Sequence, residues 1–114
     1  IIADRRDGSA GGLGLGLSGG ELQALALGGG FFNQLHFSAE TLGLVLRHIT
    51  IDVALEFTDA PLLIASAEIK VDLEVETGPG DAKRLLDHAI GDSTISNSVV
   101  RGFPVLVIPA DAHD

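Results

Sequence analysis

The chain has 114 residues, 46% of them hydrophobic, and a formal net charge of −9. That length and apolar content suit one domain with a buried core over residues 1–114 and exclude a disordered segment. The Lys and Arg residues form no basic stripe and there is no Tyr or Trp to stack on bases, which argues against nucleic-acid binding. No apolar run is long enough to span a bilayer and no signal peptide is visible, so a cytoplasmic protein with no membrane partner is expected. The absence of cysteine removes disulfides, thiolate metal ligands and thiol nucleophiles together.

Ile1-Ile2-Ala3-Asp4 reads as the end of a strand, with further N-terminal strands expected before it. Residues 7–20 hold seven glycines and read as a flexible or tightly turned connection. Gly14, Gly16 and Gly19 formally match a dinucleotide fingerprint. That motif needs a strand ending at its first glycine and an acidic residue about 20 positions on, at the end of a second strand. Neither is in place, so a glycine-rich connection into a helix is the better reading.

Ser18 and Glu21 form a capping box that starts a helix near Gly19. Leu22, Leu25, Ala26, Phe32 (or Gly29), Leu35, Ala39 and Leu42 recur at helical spacing, and Gly43 supplies the stop. Gly28, Gly29 and Gly30 sit inside this helix, where each costs about 1 kcal/mol relative to alanine. Either something packs there too closely for a side chain, or an expected side chain is absent. The second explanation is the more attractive on sequence.

Ile49, Ile51, Val53, Leu55 and Phe57 alternate with polar residues or alanine, as do Ala65, Ala67, Ile69, Val71, Leu73 and Val75. Strict period two predicts strands with one buried face, and Asp59-Ala60-Pro61 between them predicts an antiparallel hairpin. The acidic outer face reads as solvated sheet surface, since alternating exposed carboxylates do not converge on a metal. After a turn at 77–80, Asp81 is expected to cap a helix with Leu85, Leu86, Ala89 and Ile90 on one face, broken by Gly91. Residues 93–100 predict a second short helix capped by Asp92 or Ser93 and ended by Gly102. Phe103–Ile108 predicts a final edge strand, with Pro104 near its start. The order is α+β: an antiparallel sheet packed against a long central helix.

Asn33, His36 and Glu40 form one polar stripe on the otherwise apolar helix. They read either as satisfied polar groups facing a seam or solvent, or as a site wall in which His36 moves protons. A zinc site would need a third ligand, and His48, His88 and His113 have no ligand spacing, so no metal or cofactor is expected. Phe31 and Phe32 read first as core. Ser93 is explained as a helix cap, because an unactivated hydroxyl is a weak nucleophile.

Several segments in order resemble the OsmC/Ohr family of osmotically inducible and organic hydroperoxide resistance proteins. GGELQALALGGGF at 19–31 is similar to that family's "N-P-E-x-L-x-x-A-x-x-x-C-F". HAIGDSTISNS at 88–98 is similar to its "A-x-x-x-C-P-V-S-x-x-L", and RGFPVLV at 101–107 fits its last strand. Asp4 and the glycine loop resemble the linker after its N-terminal strands. The resemblance implies a homodimer and two cysteines that reduce peroxides, falling here on Gly30 and Ser93. It also implies an activating arginine in the N-terminal strands and a glutamate at Gly20 or Glu21. Both sulfurs are gone, so the family chemistry is not expected to carry over. What it leaves is an apolar small-molecule pocket at the dimer interface, with Glu21, Phe31, Phe32, Asn33 and His36 as lining candidates and Gly30 enlarging it. The alternatives are an enzyme using His36 or an N-terminal group, and a purely structural or regulatory dimer.

Overall fold

The computed structural model describes residues 16–110, so the strand end at 1–4 and most of the glycine loop, Gly14 included, lie outside the described residues. Helix α1 spans Gly19–Leu42. It begins on the expected capping box: Glu21 N donates to Ser18 Oγ at 3.2 Å and Ser18 N donates to Glu21 Oε1 at 3.0 Å. It ends at Gly43, whose φ of 67° is the left-handed conformation glycine adopts without a Cβ penalty. The next amide, Leu44 N, closes back on Ala39 O at 2.8 Å.

The expected hairpin forms from β1 (Leu46–Phe57) and β2 (Ile64–Val75), paired antiparallel. Ile49 faces Leu73, Ile51 faces Val71 and Val53 faces Ile69, while Thr50 faces Asp72 and Asp52 faces Lys70. The aliphatic set is half-buried and the polar set exposed, as period two requires. Helix α2 (Pro79–Asp92) and helix α3 (Thr94–Arg101) complete the α+β order. Proline at the start of α2 loses no helical bond, because that N–H would be unpaired anyway.

The core runs along one side of α1. Leu27, Phe31, Leu35 and Ala39 are buried with Val75, Leu85 and Ala89, and Ile51, Ile69, Val71 and Leu86 pack against the cluster. Each fully buried leucine contributes roughly 2–3 kcal/mol.

Several details differ from expectation. The buried face of α1 runs through 27, 31, 35 and 38, so Leu25 and Phe32 are exposed, at 54% and 43%. A helix apolar nearly all round does not declare which face goes inward. Asp81 does not cap α2; Gly78 takes that position, and the Asp81 carboxylate instead accepts from Thr77 Oγ1 and pairs with Arg84 at 3.4 Å. Gly91 does not break α2, which continues to Asp92. Ser93 stands before α3, but its hydroxyl makes no capping bond. Phe103–Ile108 forms no strand among the described residues and is exposed throughout. A strand exists only by pairing its N–H and C=O groups, and among the described residues no partner edge reaches it.

Candidate functional site

Gly28 and Gly30 are close-approach positions. A Cβ on Gly28 would stand 3.0 Å from Val53 Cγ2 of β1, and one on Gly30 would stand 2.8 Å from Ile95 Cγ1 of α3. The glycines therefore let α1 settle onto β1 and α3. Gly29 faces open space, and nothing in the structure explains a glycine there. Close packing, rather than an unfilled side-chain position, thus accounts for Gly28 and Gly30, and Gly30 does not enlarge a pocket. Ile95 fills that volume.

Ser93, at the junction of α2 and α3, is 1% exposed, and its Oγ is buried without a hydrogen-bond partner among the described residues. Ser38 is equally buried but fully engaged. Gln34 Nε2 donates to Ser38 Oγ at 3.1 Å, and His88 Nδ1 lies 2.8 Å from the same oxygen. On the other side of the ring, His88 Nε2 is 3.8 Å from Asp92. With the serine hydroxyl donating to Nδ1, the Nε2–H faces the Asp92 carboxylate. This chain of groups ties α1 to α2. It is not a nucleophile site, because Ser38 is 0% exposed and a substrate carbonyl could not reach it.

The residues proposed from sequence do not converge. Phe31 is in the core. Phe32 lines a separate groove with Leu25, Gly28 and Val53. Asn33, His36 and Glu40 are exposed, and the His36 ring meets Phe32 edge-on with centroids 4.8 Å apart. Glu21 serves the capping box. Among the described residues, no group of His, Cys, Asp and Glu could hold a metal ion, and no helix is long and apolar enough to cross a membrane.

A recess of about 350 Å³ lies between α2, α3 and β2, and of the sequence-proposed pocket residues only Phe31 lines it. Phe31, Ile69, Val71 and Leu86 form its apolar wall, and Ser96 and Asn97 supply polar groups. Neither Gly30 nor Ser93 lines it.

A family model described as OsmC-like protein matches residues 11–107 of this chain. The chain belongs to the OsmC-like family. No curated protein matches it. Position 30 carries a glycine covered by Ile95, and position 93 a buried serine whose Oγ has no hydrogen-bond partner among the described residues.

Proposed function

We propose that this OsmC-like protein derives from the organic hydroperoxide and oxidative-stress resistance lineage but no longer reduces peroxides through thiols. In this reading it acts as a cytoplasmic homodimer that binds an apolar small molecule. The observation carrying the first part is the Gly30–Ile95 contact. A thiolate at position 30 would have to attack a peroxide oxygen, and the space for its Cβ is filled by an isoleucine. No cysteine elsewhere in the chain substitutes for it. Homodimerisation is supported by the exposed apolar surface, which includes Leu25, Phe32, Phe37, Val100 and the segment from Phe103 to Ile108.

The test is peroxide consumption by the purified protein after metal removal, with a dithiol reductant present. Turnover at the buffer rate is expected. Dithiol-dependent turnover well above it refutes the loss of chemistry. The alternative of an enzyme built on His36 gains no support, since that ring is exposed and meets the Phe32 ring edge-on. Saturable binding of an apolar compound, read as a thermal shift, separates the ligand-binding dimer from a purely structural or regulatory one.

A further inference from the structure

We draw no further inference here: the strongest candidate, the recess between α2, α3 and β2, is an open apolar groove, and nothing in the structure shows what covers it.

Discussion

Ile95 of α3 stands against Gly30 of α1 so closely that a Cβ on the glycine would lie 2.8 Å from Ile95 Cγ1 and 3.0 Å from its Cβ. Carbon atoms pack favourably at about 3.5–4.0 Å, so the contact admits a hydrogen and nothing larger. One residue earlier, Gly29 meets nothing within 4 Å. The two positions share a helix and differ in what covers them.

That difference gives a paired prediction. Gly29→Ala should stabilise the protein by about 1 kcal/mol through helix propensity alone. Gly30→Ala gains the same helical contribution but overpacks against Ile95, at a cost of about 1–3 kcal/mol. Urea unfolding should rank the first variant above the second by that margin. In an Ile95→Ala background the margin should vanish. Equal stabilities in the parent background would mean that Ile95 gives way freely.

The same contact governs any attempt to restore sulfur. If the family cysteines fall on 30 and 93 as the resemblance implies, Gly30→Cys with Ser93→Cys supplies both, yet the first must displace Ile95. We expect the double variant to show little dithiol-dependent peroxide turnover. Adding Ile95→Ala should raise it, provided an activating arginine is in place. Turnover in the double variant matching that of the triple would show that the isoleucine is no obstacle.

Two buried serines should respond with opposite sign. Ser38 holds Gln34 and His88 together, so Ser38→Ala strands both and should cost about 1–3 kcal/mol. Ser93 is as deeply buried, but its hydroxyl has no partner among the described residues and does not cap α3. Ser93→Ala removes an unsatisfied group and should be neutral or stabilising by about 1 kcal/mol. Chemical denaturation reads both. A loss above about 1 kcal/mol for Ser93→Ala would show that its hydroxyl has a partner, such as an ordered water.

The hairpin was legible in sequence because alternation every two residues allows one register, and a slip would bury Asp52, Glu68 and Asp72. The start of α1 was legible because the Ser18–Glu21 box is a local interaction. The buried face of α1 was not. Leu25 and Leu27 are equally apolar, yet Leu27 is 3% exposed and Leu25 54%, a choice that only tertiary packing makes. Nor could sequence show that Ile95 lies over Gly30 or that His88 reaches Ser38, because both pairings depend on how the helices cross. The i, i+4 spacings of Gln34 with Ser38 and of His88 with Asp92 were available, but they do not reveal that the two pairs meet. The recess was illegible for the same reason, since its walls are contributed by four separate elements.

The last prediction concerns the end of the described chain. Val105, Leu106 and Val107 are 78%, 82% and 90% exposed, in a segment whose composition reads as a strand but which has no ladder among the described residues. Exposed aliphatic residues with unpaired backbone groups are a template for pairing with another chain. Among the described residues β1 and β2 pair only with each other. If the segment pairs with the hairpin of a second copy, Val107→Asp should shift the protein from dimer to monomer in light scattering at micromolar concentration. The amide spectrum of residues 19–101 should stay folded, because Val107 is outside the core. Hydrogen exchange should show protected amides within 103–108 in the parent and fast exchange in the variant. A parent protein that is already monomeric, or a variant that remains dimeric with protection intact, would remove this segment from the interface.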